Sequence, residues 1–382
     1  HEKFHPGGYR IMVIISVFQT DDRGSIPLTR SNGLINIKVT ELLAKYRDSI
    51  LMGALLAAMA MFALIFFYRI HHAPLLDYDE AIYAQVAREA LETNGLGMDW
   101  KGNLGLNRAS LWVEKPPLMI WFIQTGYLAF GVDELGVRVW VAVFALGTIL
   151  LTYFVTRKLF NSPMAGVLAA ATYFICFQYL ENASILQFDI PVGFFILLSF
   201  YLFYLALDNP KYFYGFGVAL ALGVMTKNVI GLLPVIIALL YSFFTGNFAY
   251  FKLKQFWQGI GLFLLIVIPW HLVQIVKFGA EFWNQYFLYH VLGRWQTPLE
   301  GNTGTFWFYW DILIKGRALF WLSLAGIVFA GIQAFRKQKT YLYLLLAILT
   351  IFLFFSFSHT KLPAYILILY PFLAIVVGVL LS

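Results

Sequence analysis

Apolar side chains in this chain come in long unbroken runs, not at alternating or every-third positions. From residue 49 onward, runs of roughly the 18–20 residues that cross a bilayer follow one another. They lie near 49–69, 136–156, 164–181, 190–207, 212–225, 229–246, 257–276, 317–334, 340–357 and 362–381. Each predicts a membrane-crossing helix, about ten in all. The first long polar stretch, 71–135, has a different pattern. After Asp79, the apolar Ile82, Val86, Ala87 and Ala90 recur at helical spacing, with Arg88 and Glu89 opposite. That spacing predicts an amphipathic helix lying along the membrane surface.

Residues 1–48 are mixed polar, and their one apolar run, 11–18, is too short to span. No cleavable signal pattern is present. This segment reads as a cytoplasmic extension of unknown role, followed by a single membrane domain over 49–382. The chain starts at His1 and stops at Ser382 directly after an apolar run, so it reads as a piece of a longer product, truncated at the C-terminal side.

Composition sharpens the picture. Hydrophobic residues make up 60% and charged residues 12%, against roughly 25% charged in soluble domains. A water-soluble exterior needs more polar side chains than that. The fold class is therefore an all-α polytopic membrane protein with the bilayer as its surroundings. The net charge of +7 is explained by Lys and Arg in cytoplasmic loops, not by nucleic-acid binding. Cys176, the single cysteine, lies in an apolar run and has no internal disulfide partner.

Charge also sets orientation. Lys45 and Arg47, Arg157 and Lys158, Lys211, Lys252 and Lys254, and Arg336, Lys337 and Lys339 fall in alternate connections. These mark the cytoplasmic side. The opposite connections, 71–135, 181–189, 226–228, 277–316 and 358–361, would then be extracytoplasmic. They hold most of the chemistry: Asp79, Glu80, Tyr83, Glu114, Lys115, Asp189, Lys227, His290, Arg294, His359 and Lys361. Gathering acids, lysines and histidines at one end of many helices points to a site at the membrane–water boundary. A lipid or solute transporter, the alternative, would carry charges midway along its helices. Here the middles are nearly free of charge.

Individual motifs add detail. Asp77 or Asp79 stands where a helix N-terminus needs a capping carboxylate. In Glu114-Lys115-Pro116-Pro117 the paired prolines fix the chain direction as it re-enters the membrane. Lys115 is thereby held at the interface, where an ammonium suits a phosphate head group. His71 and His72 read as solvated loop side chains. His359 belongs with Thr360 and Lys361, three polar residues interrupting a pair of apolar helices.

At this point the chain resembles the membrane-embedded glycosyltransferases of the GT-C type, in particular the protein O-mannosyltransferase and lipid A aminoarabinose transferase group. The resemblance rests on Asp79-Glu80-x-x-Tyr83-Ala84, Glu114-Lys115-Pro116-Pro117-Leu118, Gly131-x-Asp133-Glu134-x-x-x-Arg138 and Asp189-x-Pro191 in that order. Thr226-Lys227, Gly231-x-x-Pro234, Pro269-Trp270, His290-x-x-x-Arg294 and Lys361-x-x-x-Tyr365 follow. It departs at Ile82, where relatives often carry Arg. The resemblance implies a GT-C-type helical bundle that transfers a sugar from a polyprenyl-phosphate donor to a lipid, glycan or protein acceptor. The active site would face the periplasm or exterior of a bacterial inner membrane. It implies Asp79, beside Glu80, as the acid at the acceptor and Asp189 as a second acid. It implies Lys115, Arg294, Lys361 and Tyr365 as ligands of the donor phosphate, with Tyr83, Glu114, Lys227, His290 and His359 as further substrate-binding residues. Glu114 and His290 leave room for a divalent metal; no other cofactor is implied.

Overall fold

A computed structural model describes residues 29–76, 78–92, 101–103, 109–111, 114–298, 301–316 and 318–382. Asp77 and the apolar run at 11–18 lie outside the described residues. The chain divides into two compact units, His1–Arg47 and Asp48–Ser382. The second carries the site.

In chain order the helices are α1 (Thr29–His72), α2 (Asp79–Glu92), α3 (Leu118–Phe130), α4 (Glu134–Phe160), α5 (Pro163–Phe174), α6 (Phe177–Ala183), α7 (Asp189–Asp208) and α8 (Tyr212–Lys227). They continue with α9 (Leu233–Thr245), α10 (Lys254–Phe282), α11 (Arg294–Gln296), α12 (Phe308–Lys315), α13 (Ala318–Phe335), α14 (Lys339–Phe357) and α15 (Tyr370–Leu381). Among the described residues, eight helical stretches are long and apolar enough to cross a membrane, and α3 and α5 are shorter apolar helices. The expected bundle of about ten spans is thus close. One stretch, Tyr212–Thr245, folds back on itself. A tight turn at Asn228–Leu232 presses Gly231 onto Gly223, where any Cβ on Gly231 would lie 2.3 Å from the Gly223 carbonyl carbon.

Several boundaries differ from the sequence pattern. The run expected at 164–181 breaks after Phe174 and resumes as α6 at Phe177. The thirteen-residue α3 is too short to register as a span. The loop between α2 and α3 contains an antiparallel pair, β1 (Lys101–Asn103) and β2 (Ala109–Leu111), with Gly102 opposite Ser110. Three-residue strands carry too little periodicity to be read against a helical background.

Helix ends are set by local chemistry. Asp133 caps α4 by accepting from the Gly136 N–H at 2.8 Å, and Asn161 closes the helix in the left-handed conformation. Ser162 then caps α5, accepting from Ala165 N at 3.1 Å, with Pro163 in the first turn. Within the buried face of α4, Thr148, Thr152 and Thr156 each donate to the carbonyl four residues earlier. No hydroxyl of that ladder is left unpaired in an apolar medium.

Lipid tails are as apolar as leucine, so helices in a bilayer associate through close packing. Here α7 packs on α8, α8 on α10, and α15 on α5. Gly217 of α8 meets Gly259 of α10 so closely that a Cβ would lie 2.0 Å from the Gly259 oxygen. The predicted amphipathic helix exists as α2. Its buried face of Tyr83, Val86, Ala87 and Ala90 packs on α3, where the Tyr127 hydroxyl donates to the Ala84 carbonyl at 2.9 Å.

One buried ion pair ties these parts together. Arg138 of α4 is 1% exposed and Glu80 of α2 is 3% exposed. Arg138 Nε and Nη2 donate to the two carboxylate oxygens, each at 2.7 Å. The remaining guanidinium N–H groups go to the carbonyls of Ile70 (3.0 Å), Ala73 (2.6 Å) and Pro74 (2.8 Å). Glu80 also accepts from the backbone N–H of Leu76 at 2.7 Å and of Leu186 at 2.8 Å. All five arginine donors are used. The pair therefore fixes the end of α1, the start of α2 and the approach to α7 against α4. Lysine has neither the fork nor the donors to replace this guanidinium. Arg138→Lys is expected to cost about 3–5 kcal/mol, read as a lowered thermal midpoint in detergent. Replacing both partners by Met should cost less than either single change. An Arg138→Lys protein that melts with the wild type would contradict this role.

Candidate active site

The cavity that gathers the site opens where α2, α7, α8 and the segments around 114–115, 294 and 362–365 converge. It has a volume of about 520 Å³ and is lined by Asp79, Tyr83, Glu114, Lys115, Asp189, Lys227, Arg294 and Tyr365, among others. Every one of these is expected from the sequence. A smaller cavity of about 80 Å³ shares Glu114, Lys115, Lys227, Arg294 and Tyr365 and adds His290.

Helix ends hold most of the charges. Asp79 is the first residue of α2 and Asp189 the first of α7, so each carboxylate faces the positive end of a helix dipole. Lys227 is the last residue of α8, at the negative end. Tyr78, with φ of 76°, occupies the left-handed region that is costly for a non-glycine residue. This turn delivers Asp79 to the cavity, and the Tyr78 carbonyl accepts the first helical bond, from Ile82 N at 2.9 Å.

Asp189 Oδ2 pairs with Lys227 Nζ at 2.6 Å. Its other oxygen is buried and accepts no hydrogen bond. Lys227 Nζ also lies 4.6 Å from the centre of the Tyr365 ring, and Arg294 Nη1 donates to the Tyr365 hydroxyl at 3.2 Å. Tyr83 stacks on Phe188 with ring centres 4.4 Å apart. Lys115 Nζ sits 4.3 Å from the Tyr83 centre and 4.0 Å from Glu114 Oε2. Burial pushes the Lys115 ammonium down to about 7; Asp79 pulls it back up, while Lys227 and Arg294 add to the fall.

Three expected site residues are placed elsewhere. Glu80 does not line the cavity, because both its oxygens are taken by Arg138 and backbone N–H groups. It is a framework residue, which corrects the expectation of a catalytic role beside Asp79. Lys361 is 3% exposed and donates to the carbonyls of Phe355 (2.9 Å) and Ser356 (2.6 Å). Its ammonium caps the end of α14 and lines neither cavity, so it does not meet a phosphate there. His359 is exposed, and its Nδ1 is 2.8 Å from the Trp295 carbonyl. It lines neither cavity.

Asn182, Gln187, Phe188 and Asn302 line the main cavity and were not singled out from the sequence. Gln187 and Phe188 carried one signal, their place just before Asp189. Glu114 and His290 share the smaller cavity. Among the described residues, no group of three or more His, Cys, Asp or Glu side chains comes together to hold a metal ion. Two donors fall short of a structural site, so no role here is derived through a metal.

Comparison with known proteins adds to this geometry. Residues 114–272 match the family model described as dolichyl-phosphate-mannose-protein mannosyltransferase. An undecaprenyl phosphate-alpha-4-amino-4-deoxy-L-arabinose arabinosyl transferase 2 of Pseudomonas fluorescens is 30% identical over 312 residues, covering 78% of this chain and 51% of the relative. An uncharacterized protein of Aquifex aeolicus is 31% identical over 270 residues, 70% of this chain and 60% of its own length. The chain thus spans about half the length of the curated transferase it matches. Among solved structures, ArnT from Cupriavidus metallidurans bound to undecaprenyl phosphate superposes with a TM-score of 0.72 at 24% identity, over 85% of this chain and 59% of that one. The Archaeoglobus fulgidus oligosaccharyltransferase AglB gives 0.59 at 14% identity, over 88% and 50%. Motif order, a partial family match and a shared architecture agree: this chain is a membrane protein with the GT-C fold, similar to the transferases that its motifs resemble.

Proposed function

We propose that this chain transfers a sugar from a polyprenyl-phosphate donor to a lipid, glycan or protein acceptor at the extracytoplasmic face of a bacterial inner membrane. The observation that carries the reading is the meeting of Asp79, Asp189, Lys115, Lys227, Arg294 and Tyr365, from separate parts of the chain, around one cavity. The cations gathered there suit a phosphate, and the acids among them suit an acceptor hydroxyl.

In this reading the donor phosphate lies against Lys115, Arg294 and the Tyr365 hydroxyl. The acceptor oxygen attacks the anomeric carbon as the bond from that carbon to the phosphate oxygen breaks. The electron pair leaves with the polyprenyl phosphate, whose growing charge the cations stabilise. Asp79 accepts the acceptor's proton. Asp189 holds Lys227 in place through their 2.6 Å contact, so that Lys227 stays beside Tyr365. The apolar spans carry the rest of the donor lipid in the bilayer.

Asp79→Asn keeps the shape at the start of α2 while removing the base. It should bind donor like the wild type and lose about 10²–10⁴-fold in turnover, measured as free polyprenyl phosphate released from labelled donor with acceptor present. Unchanged release from that variant would remove Asp79 from the chemistry. For the orientation, Cys176 is buried and gives little background to thiol labelling. Asn103→Cys should react with an impermeant thiol reagent in intact cells; labelling only after lysis would invert the topology.

Lys115 makes donor binding depend on pH. Its pKa near 7 leaves much of it neutral in the empty site, whereas a bound anion favours the ammonium. Binding therefore takes up a proton above pH 7, and affinity for a polyprenyl phosphodiester should fall as pH rises from 7 to 9, by up to about tenfold per unit. Lys115→Arg, charged throughout, should flatten the profile. A wild-type profile that is level over this range would contradict the assignment.

A further inference from the structure

The motif His359-Thr360-Lys361 lies outside the cavity, yet its loop holds the residues that carry Arg294. The Arg294 carbonyl accepts from Thr360 N at 3.1 Å and from the Ser358 hydroxyl at 3.2 Å. The Trp295 carbonyl accepts from His359 N at 3.3 Å and lies 2.8 Å from the His359 ring nitrogen Nδ1. The Thr360 hydroxyl donates to the Thr297 carbonyl at 3.1 Å, and Lys361 N donates to the Asn302 carbonyl at 3.0 Å. Five backbone or side-chain donors of loop 358–361 thus meet the carbonyls of Arg294 itself and of Trp295, Thr297 and Asn302 that follow it, and His359 adds a ring contact.

The loop is itself held by Lys361. The last carbonyls of a helix have no partner within it, and the Lys361 ammonium takes two of them, Phe355 and Ser356 at the end of α14. Its charge also faces the negative end of the helix dipole. The ammonium lies 5.3 Å from the centre of the Tyr309 ring. Gly304 closes over the stem of the lysine, since a Cβ there would lie 2.9 Å from Lys361 Cγ. Thr360 and Lys361 are 0% and 3% exposed, although they occupy the connection between two apolar helices.

We propose that loop 358–361 is a clasp, anchored on α14 by Lys361, that positions the Arg294 guanidinium for the donor phosphate. Lys361 acts through Arg294 and touches no substrate, which makes it a positioning residue. The inference rests on the reading that Arg294 meets that phosphate. It assigns to Lys361 a role different from the phosphate contact its motif suggested. Without the lysine, the α14 carbonyls and the loop lose their common tie, and Arg294 spreads over several rotamers, fewer of which meet the anion.

The test is a double-mutant cycle on the full chain in detergent, with undecaprenyl phosphate as the probe and its dissociation constant as the readout. Arg294→Ala should weaken binding about tenfold or more. Lys361→Met, which keeps the length of the stem, should weaken it several-fold in the wild-type background and not at all in the Arg294→Ala background. Lys361→Arg should restore most of the loss, because it offers donors to the same carbonyls. A lysine that serves only stability would lower the thermal midpoint in both backgrounds, and its effect on binding would multiply with that of Arg294→Ala; that result overturns the clasp. If Lys361→Met fails to fold, Thr360→Val removes the hydroxyl bond to Thr297, and the same non-additivity is expected of it. Wild-type affinity in Arg294→Ala would overturn the phosphate reading of Arg294 and the clasp with it. Additive losses would overturn the clasp alone.

Discussion

The bidentate pair between Glu80 and Arg138 is the contact on which the site's geometry depends. Removing two charges from water carries a penalty that Coulomb attraction offsets only when geometry and hydrogen bonding are complete. Here they are complete. The guanidinium takes two carboxylate oxygens and three carbonyls, and the carboxylate takes two further backbone N–H groups. Two consequences reach the cavity. Glu80 and Asp79 are neighbours on α2, so locking one side chain into the framework turns the other toward the opening. The bond from Leu186 N to Glu80 fixes the segment that leads into Asp189. Asp79 and Asp189 are therefore both held by one interaction that lies outside the cavity.

The cavity's own charges are arranged to need little outside help. Asp79, Glu114 and Asp189 stand against Lys115, Lys227 and Arg294. Two of the acids sit at helix N-termini and Lys227 at a C-terminus, so each charge meets the end of a backbone dipole of opposite sign. Lys115 is the exception. It lies on the Tyr83 ring in a buried pocket, where loss of hydration outweighs the acids nearby. An empty site can thus leave it partly neutral, and an arriving anion supplies what the ammonium lacks.

Much of this was legible in the chain. Apolar runs locate the long helices because a bilayer demands about twenty consecutive apolar residues. Eight of the twelve site residues expected from the sequence line the main cavity; Glu80, His359 and Lys361 lie outside it, and His290 lines the smaller one. What could not be read is partnership across sequence distance. Glu80 and Asp79 are equally acidic neighbours, and only Arg138, 58 residues away, separates their roles. Lys361 resembles a phosphate ligand by type and position, but the α14 carbonyls claim it. The break after Phe174 has neither Pro nor Gly to announce it; Tyr173 and Tyr179 pack across it with ring centres 4.2 Å apart, a tertiary contact with no local signature.

The central claim is that one cavity holds the donor phosphate between Lys115, Arg294 and Tyr365, with Asp79 facing it. The most direct measurement is a structure of the chain with a polyprenyl phosphate bound. The account predicts phosphate oxygens at charge-assisted hydrogen-bond distance, about 2.7–3.0 Å, from Lys115 and Arg294, with Glu80 still paired to Arg138. A phosphate bound away from both residues, with the cavity beside Asp79 left to another molecule, would contradict it.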